Sequence, residues 1–367
     1  MREKMIKNID SQSACKQATC KDVARLAGVT HTTVSRVLNN SGYVAEETRR
    51  AVLEAVRHTG YKPNSAARVL AGQKQETIGV ITEFENEESI YGGAFVAGVS
   101  MALSERGYRT AMAAVAWDTE LSEVIKLPIF DRVCLDGVIL DLHKVRGEFS
   151  SFLRDLGLPY VVINPSYHIS CNAIMPNDFE VARQATEYLM DYGHKKIAYM
   201  PKLSSFTHGS QFDRMKGYAN ALNQKGLTCI PLWNMPLTAS FAAGEKVEEK
   251  AYRVAVKERL NYYINEMGCT GIVAYDMRMA ARIICESMNL GLSIPKDFSL
   301  ISCDYDVSTK VHLVEVTAFK LDRREMAKAA VDMLFRKITD KVGDVNTVYI
   351  NGQLVEGDSV VALAANE

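Results

Sequence analysis

The sequence predicts an α/β protein that begins with a small all-α helix-turn-helix headpiece and continues as a larger body of parallel sheets. Two short helical patterns meet at Gly28, and apolar runs of strand length alternate with helical patterns from residue 77 onward. Residues 1–75 hold 13 Lys and Arg against six Asp and Glu, whereas the rest of the chain holds 30 against 38. A basic segment on an acidic body is typical of a nucleic-acid-binding headpiece, the alternative being a solubilising tail.

Length and composition limit the class of protein. The 367 residues suffice for two or three domains, and 47% hydrophobic and 24% charged residues are usual for globular proteins with a sizeable core. No run of 18 apolar residues and no secretory signal is found, so we expect no membrane span. The eight cysteines include no CxxC pair, which favours reduced thiols and argues against zinc. We therefore expect a cytoplasmic protein.

Capping residues place three helices in the headpiece and a fourth after it. Thr19 can cap the first helix, Thr30 can cap the second, and a third pattern covers residues 46–58. Asn64 can cap a short helix over residues 65–71. About eight residues are too few for a helix that is stable alone, so this last element is predicted to depend on its surroundings.

The second helix carries an uncommon set of side chains on its polar face. Val34, Val37 and Leu38 form a buried stripe at helical spacing. The opposite face holds hydrogen-bonding groups and almost no acid: His31, Thr32, Ser35, Arg36 and Asn39. Surface helices usually mix Glu and Lys on this face, so the pattern predicts a helix that lies in a groove.

Strands and helices alternate through the body. Strands are predicted at residues 77–81, 110–115, 137–142, 160–164, 173–176, 196–200, 271–275 and 298–305. Helical patterns lie between most of them, as in Val181 to Asp191, Arg214 to Gln224 and Arg278 to Met288. This alternation predicts parallel sheets covered on both faces, and ligands in such folds bind beyond the carboxyl ends of the strands.

The sequence carries no catalytic or metal-binding motif. The body has no GxGxxG after a strand, no Walker lysine motif and no GxSxG. Its histidines show no metal-ligand spacing: His143, His168, His194, His208 and His312. We therefore expect no enzyme, no cofactor and no metal site.

One long segment carries a specific resemblance. KDVARLAGVTHTTVSRVLNNSGYVAEETRRAVLEAVRHTGYKPNSAARVLAGQKQETIGVI strongly resembles the headpiece, hinge and first strand of the lactose/galactose repressor family of bacterial transcription regulators. The body continues the likeness in DGVIL, LPYVVIN, YGHKKIAYM, DRMKGYANAL and IPKDFSLISCDYD, so that it covers residues 19 to 340. The resemblance implies a hinge helix after the headpiece and a two-lobed periplasmic-binding-protein-like body of Rossmann-like parallel sheets, joined by three crossovers.

The resemblance also implies domain limits. They are the headpiece at 19–63, a hinge helix and linker at 64–76, a first lobe at 77–164 and 308–338, and a second lobe at 165–307 and 339–367. Residues 1–18 lie before the resemblance, and their polar, Lys-rich composition without periodicity predicts a disordered arm. Two positions depart from the family pattern, with Asn177-Asp178 where the family has the order Asp-Asn, and Lys320-Leu321 in place of Gln-Pro.

Roles in DNA binding follow from the resemblance, in which the second helix enters the major groove. Base edges are expected to be read by His31, Thr32 and Arg36, and DNA phosphates to be bound by Thr19, Thr33, Ser35, Asn39 and Tyr43. In the hinge, Leu70 is expected to wedge into the minor groove, with Asn64 and Arg68 nearby. The alternatives are local capping or packing for Thr33 and Ser35, plain solvent exposure for His31 and Arg36, and packing against the body for Leu70.

The body is then expected to be a sensor. The cleft between the lobes would hold a small metabolite, a sugar or sugar derivative, and the resemblance points to these residues: Tyr91, Asn164, Arg214, Asp276 and Asp304. Asp276 could instead cap the following helix, Asp304 could be a turn residue, and Trp233 could be either a stacking platform or core.

The partners expected for such a regulator, of the repressor type, are double-stranded DNA with a pseudopalindromic operator, a small-molecule effector and a second copy of the chain. The C-terminal residues show no heptads, which favours a homodimer over a tetramer. A sugar receptor without DNA activity is disfavoured by the basic headpiece. A regulator that never responds to a ligand stays open, as does the sign of the effector's action.

Overall fold

The structure is a computed structural model of the 367-residue chain, and its two compact units are Met1–Gln75 and Glu76–Glu367. The residues that it describes are 18–38, 41–61, 75–84, 91–116, 119–132, 134–142, 147–166, 171–202, 208–230, 249–305, 314–340 and 346–363. The predicted hinge helix and residues 1–17 of the predicted arm lie outside these ranges.

Three helices form the headpiece: α1 (Cys20–Ala27), α2 (His31–Leu38) and α3 (Glu46–Thr59). The carboxylate of Asp22 accepts hydrogen bonds from the backbone N–H of Thr19 at 2.9 Å and from its hydroxyl at 2.7 Å, which fixes the start of α1. The helix ends at Gly28, whose φ of 67° is left-handed. The predicted pairing of Thr19 with Asp22 and the Thr30 cap of α2 are confirmed, whereas α3 ends one residue later than predicted.

A small apolar core holds the headpiece together, and its buried members are Val23, Ala24, Val34, Val37, Val52 and Ala55. Leu53, one residue after Val52, is 41% exposed. Ala55 lies three residues after Val52 and therefore shares its face of α3, whereas Leu53 is turned by about 100° from that face.

The body contains two sheets. Six parallel strands in the order β10-β5-β4-β3-β1-β2 form the first, and the second has the order β11-β9-β8-β7-β6, with β11 antiparallel to β9. The strands are β1 (Thr77–Phe84), β2 (Arg109–Ala116), β3 (Gly137–Asp141), β4 (Tyr160–Ile163), β5 (Ala173–Pro176), β6 (Ile197–Met200), β7 (Gly271–Ala274), β8 (Ser299–Ser302), β9 (Thr317–Leu321), β10 (Thr347–Ile350) and β11 (Gly352–Val355).

Helices cover both faces of each sheet. They are α4 (Tyr91–Ser104), α5 (Leu121–Val124), α6 (Pro128–Arg132), α7 (Gly147–Asp155), α8 (Asp178–Asp191), α9 (Gly209–Gln224), α10 (Glu249–Asn261), α11 (Met277–Asn289) and α12 (Arg323–Asp340). Apolar residues of α4 and α12 pack on one face of the first sheet, and those of α6 and α7 on the other. The second sheet lies between α8 with α9 and α10 with α11. Among the described residues, no helix has the length and apolar character needed to cross a membrane.

The chain crosses between the lobes three times, after β5, β9 and β10. The expected limits at residues 164, 307 and 338 are therefore corrected. β5 pairs with β4, with Val162 opposite Ala173, so it completes the first sheet, and β10 pairs with β5 in turn. β9 pairs with β8 and belongs to the second lobe. The buried backbone groups of a short strand need hydrogen-bond partners in a neighbouring strand. A strand therefore belongs to the lobe whose sheet supplies those partners.

Candidate functional site

The polar face of α2 presents the side chains expected to read DNA bases. His31, Thr32 and Arg36 are exposed, whereas Val34 and Val37 on the opposite side are buried in the headpiece core. Burial of the apolar stripe thus fixes which face of the helix remains available. A guanidinium, an imidazole and a hydroxyl at adjacent helical positions can reach base edges in a major groove.

Threonine hydroxyls organise the first turn of α2. Thr30 accepts the N–H of Thr33 at 3.3 Å, and its hydroxyl lies 2.8 Å from that of Thr32 and 2.9 Å from that of Thr33. The capping alternative for Thr33 therefore has a structural basis, and Thr32 takes part in the same local group. Both hydroxyls still keep acceptor lone pairs and can exchange these partners on binding DNA.

The residues expected to bind phosphate differ in exposure. Tyr43 is 94% exposed, Thr19 is exposed at the start of α1, and Ser35 is half-buried. Asn39 lies outside the described residues. So do the three hinge residues expected at the minor groove, which are Asn64, Arg68 and Leu70.

In the body, a buried ion pair joins two helices of the second lobe. Arg214 Nε and Nη2 both lie 2.7 Å from Asp178 Oδ1. Arg214 also donates to the backbone oxygen of Tyr275, and its guanidinium lies 4.5 Å from the centre of the Tyr275 ring. Each charge of the pair is thus neutralised by its partner, as burial at this depth requires.

A second group of contacts connects this pair to the first lobe. His208 Nε2 lies 3.1 Å from the backbone oxygen of Asn164, and the N–H of Gly209 donates to the backbone oxygen of Ser166 at 2.9 Å. Because a carbonyl only accepts, Nε2 carries the proton, and Nδ1 accepts the N–H of Ser210 at 3.1 Å. The Ser210 hydroxyl lies 2.7 Å from that of Tyr275. Burial lowers the pKa of His208, which keeps the ring neutral. We call Asn164, Ser166, Asp178, His208, Ser210, Arg214 and Tyr275 the interlobe cluster.

Two oxygen atoms of this cluster have no hydrogen-bond partner among the described residues. They are Oδ1 of Asn164 and Oγ of Ser166, and both atoms are buried. Asn164 also has a φ of 44°, in the left-handed region that non-glycine residues rarely adopt. A buried polar atom without a partner costs about 1–3 kcal/mol. A ligand that donates to Asn164 Oδ1, or that bonds to the Ser166 hydroxyl as donor or acceptor, is therefore favoured.

An arginine at the start of α12 pairs with a carboxylate of the second lobe and acts electrostatically on one of the first lobe. Asp304 Oδ2, after β8 of the second lobe, lies 3.6 Å from Arg323 Nη2. Asp141, at the end of β3 in the first lobe, accepts from the Thr82 hydroxyl at 2.9 Å. Burial raises the pKa of Asp141 to about 6, and the charge of Arg323 opposes that rise. Asp304 is 3% exposed and lies in a bend after β8, where its N–H donates to the Ser302 hydroxyl at 3.4 Å. The alternative of a structural turn residue therefore has a basis beside the ionic contact.

The five residues expected at the effector site fall into three groups. Asn164, Arg214 and Asp304 lie in or beside the ionic and polar groups just described. Asp276 caps α11, since its Oδ1 accepts the N–H of Met279 at 2.8 Å. Tyr91 begins α4, but its side chain is outside the described part of the structure, as is Trp233.

Sequence reasoning missed several members of the cluster. Ser166, Ser210 and Tyr275 were not singled out, Asp178 was noted only as part of a departure from the family pattern, and His208 was considered only as a metal ligand. Their positions after β4, β5 and β7 and at the start of α9 were a usable signal, because ligands in α/β folds bind at carboxyl strand ends. Among the described residues, no group of three His, Cys, Asp or Glu side chains could hold a metal ion.

Comparison with protein-family models gives two matches. Residues 19–64 match the model described as bacterial regulatory proteins, lacI family, and residues 186–360 match a periplasmic binding protein-like domain. The HTH-type transcriptional repressor PurR of Klebsiella pneumoniae is 27% identical over 348 residues, which are 94% of this chain and 97% of the relative. PurR of Erwinia tasmaniensis is 28% identical over 352 residues, with the same shares.

The headpiece therefore matches the lacI family of bacterial regulatory proteins. The relatives that cover nearly the full chain are DNA-binding transcriptional repressors and not enzymes. The fold agrees with solved lacI-family structures. The lac repressor dimer bound to operator and an anti-inducer has a TM-score of 0.74 at 21% identity, covering 95% of this chain and all of that one. A regulator in complex with cellobiose has a TM-score of 0.60 at 22% identity, covering 93% of this chain and 99% of that one.

Proposed function

We propose that this chain is a repressor of the lacI family, that it binds a pseudopalindromic operator as a homodimer and that a small metabolite, a sugar or sugar derivative, controls its operator affinity from between the two lobes. The main support for an effector site between the lobes is the interlobe cluster. Its polar side chains come from both lobes, and two of its buried oxygens have no hydrogen-bond partner among the described residues.

Support for the DNA-binding roles comes from the exposed face of α2. We propose that His31, Thr32 and Arg36 read base edges, and that Thr19, Thr33, Ser35, Asn39 and Tyr43 hold the DNA backbone. A forked contact from Arg to guanine is worth about 1–3 kcal/mol of discrimination. Asn64, Arg68 and Leu70 are proposed for the minor groove on the strength of the family resemblance alone.

Support for the sensor comes from the contacts between the lobes. The bond from His208 to the Asn164 carbonyl joins the residue that precedes α9 to the residue that follows β4. A ligand that bonds to Asn164, Arg214 or Asp304 differently in open and closed arrangements would bias the angle between the lobes, which is the requirement for allosteric control. Solved proteins of this fold include one with cellobiose and one with bound ribose, so the fold can hold a sugar.

The test is fluorescence anisotropy of the purified protein on DNA from upstream of its own coding region. The titration is repeated at several salt concentrations and with sugars, sugar phosphates and nucleobases. We expect tight, salt-sensitive binding that one compound weakens or strengthens, which also gives the sign of control. Binding that no compound changes would contradict the sensor, and a nucleobase effector would contradict the sugar class.

If upstream DNA does not bind, operator DNA is selected from a random pool, and Arg36→Ala and Leu70→Ala are compared on the selected sequence. Loss of binding in both variants supports the proposed reading helix and hinge. Unchanged binding in both would contradict them.

A further inference from the structure

The second sheet of the body ends at β11, and no described strand lies beyond it. The register places Leu354 opposite Phe319 of β9. The carbonyl of Phe319 accepts from the N–H of Tyr305, after β8, at 2.9 Å, so Phe319 directs its backbone groups toward β8. Facing residues of an antiparallel pair either bond to each other or both point away. The backbone N–H and C=O of Leu354 therefore point to the free edge, as do those of Gly352 two residues earlier.

This edge lacks the residues that usually prevent a sheet from adding another strand. The run TVYINGQLV, residues 347–355, contains no charged residue and no proline. Leu354 is 38% exposed, although it is a large apolar side chain. Charged side chains and proline are common on the edge strands of natural sheets, where they block pairing with another chain. β11 can therefore accept a further strand.

A second copy of β11 fits this edge. When a two-fold axis at Leu354 relates the two copies, their strands run antiparallel, as β11 already does with β9. The backbone groups of Leu354 then bond to those of Leu354 in the second copy, and Gly352 bonds to Glu356. An axis at Gln353 would instead place Glu356 opposite Ile350, whose carbonyl already accepts a hydrogen bond within its own chain. The axis at Leu354 therefore gives more hydrogen bonds between the copies.

The same axis suits the side chains. Leu354 lies on the face of the sheet that α8 covers, because Gly352 shares that face and an added Cβ there would lie 2.9 Å from Val181 Cγ2. Across the axis the two Leu354 side chains face each other, so the exposed apolar surface of each is buried against the other, which is favourable. Glu356 faces Gly352, so no carboxylate lies opposite another, and Glu356 already accepts from the Tyr188 hydroxyl at 3.1 Å.

We infer that two copies of the chain associate through their β11 strands, so that the second sheet of one copy continues into that of the other. This contact goes beyond the proposed function. It needs no C-terminal heptads, and it joins two operator-binding homodimers into a tetramer that can hold two operators.

The experiment measures the mass of the full-length protein by gel filtration with light scattering, over a micromolar concentration series. Leu354→Lys and Leu354→Glu each place two like charges directly opposite at the axis, which destabilises a cross-strand pair. We expect each variant to have half the mass of the wild type, and an equimolar mixture of the two variants to regain the wild-type mass. Equal masses of the wild type and both variants would overturn the inference, as would a mixture that stays at half the mass.

Gln353→Lys is the matched control. Gln353 is exposed on the same strand, but its side chain lies on the other face of the sheet and would face Val355 of the second copy. No like charge opposes it there, so this variant should keep the wild-type mass. Loss of association in Gln353→Lys as well would contradict an axis at Leu354.

Leu354→Pro gives an independent test of the backbone contact. Proline removes the outward N–H of residue 354 and no hydrogen bond to β9, so this variant should also have half the mass of the wild type. Thermal unfolding of every variant checks that it is folded, which the exposure of Leu354 favours. A folded Leu354→Pro protein with the wild-type mass would contradict the pairing of the two strands.

Discussion

Asp178 and Arg214 form a buried ion pair in which Oδ1 lies 2.7 Å from Nε, and each residue is 4% exposed. The pair ties the first residue of α8 to the second turn of α9. The two helices approach closely at Gly217, where an added Cβ would lie 2.1 Å from the backbone oxygen of Phe179. Close packing and an ion pair between the same two helices make this contact a fixed wall of the interlobe cluster.

Breaking the pair from one side is expected to destabilise the body. Arg214→Met or Asp178→Leu alone leaves a buried charge without its partner, and each should lower the free energy of unfolding by about 3–5 kcal/mol. The double variant should cost less than the sum of the two, because no lone charge remains. Urea unfolding at pH 7, followed by circular dichroism, measures all three.

The control for this cycle is Arg183→Ala. Arg183 bonds Glu180 and Glu187 within α8, in a pair that is about a quarter exposed. Its loss should cost about 1 kcal/mol or less. If the single variants of Asp178 and Arg214 lower the free energy of unfolding no more than Arg183→Ala does, burial of this ion pair adds nothing to its effect on stability.

Asp276 offers a test that separates a helix cap from an effector contact. Its Oδ1 accepts the N–H of Met279, and Asn caps helices about as well as Asp. Asp276→Ala should therefore lower stability by about 1 kcal/mol, whereas Asp276→Asn should change neither stability nor effector response. Thermal unfolding and operator anisotropy with effector are the readouts. A stable Asp276→Asn protein without effector response would instead place Asp276 in the ligand site.

Local patterns predicted most elements of the fold. The strand at 173–176 and the helix ends near Gly28 follow from short-range signals, namely an apolar run and a glycine able to adopt a left-handed φ. The lobe limits could not be predicted in this way, because the residues of a strand do not specify which other strand it pairs with. β5 and β10 join the first sheet through long-range hydrogen bonds that only the folded chain shows.

The candidate site was predicted only in part, for a similar reason. Arg214 and Asn164 could be matched to family positions one at a time. Asp178, His208 and Ser166 gain significance only through contacts between residues that are tens of positions apart, such as the bond from His208 to the Asn164 carbonyl. In α2, by contrast, the polar and apolar faces are set by positions within eight residues, so helical spacing alone predicts which side is exposed.

Arg36 is expected to discriminate between bases. Arg36→Ala should cost about 1–3 kcal/mol in operator binding and relax specificity at one position of each half-site. Arg25→Ala is a matched control, because Arg25 is an exposed cation of the same headpiece that lies on α1, where it pairs with Asp22. Competition assays with single-base operator variants measure both proteins. An equal, sequence-independent loss in the two variants would show that Arg36 binds only phosphate.

Asp141 is expected to make stability depend on pH. Burial raises its pKa from 3.8 to about 6, Glu83 adds to the rise, and the Thr82 hydrogen bond and Arg323 oppose it. Between pH 4 and 6 the folded protein therefore holds a proton that the unfolded chain has lost, so this residue's contribution to stability falls as pH rises through that window. Asp141→Asn removes this dependence. The free energy of unfolding of the variant, minus that of the wild type, should therefore be about 1–3 kcal/mol larger at pH 7 than at pH 4.

Urea unfolding at half-unit pH steps measures this difference. Asp131→Asn is the control, because the Asp131 carboxyl is exposed on α6. A difference that stays constant with pH would mean that Asp141 titrates alike in the folded and unfolded chains.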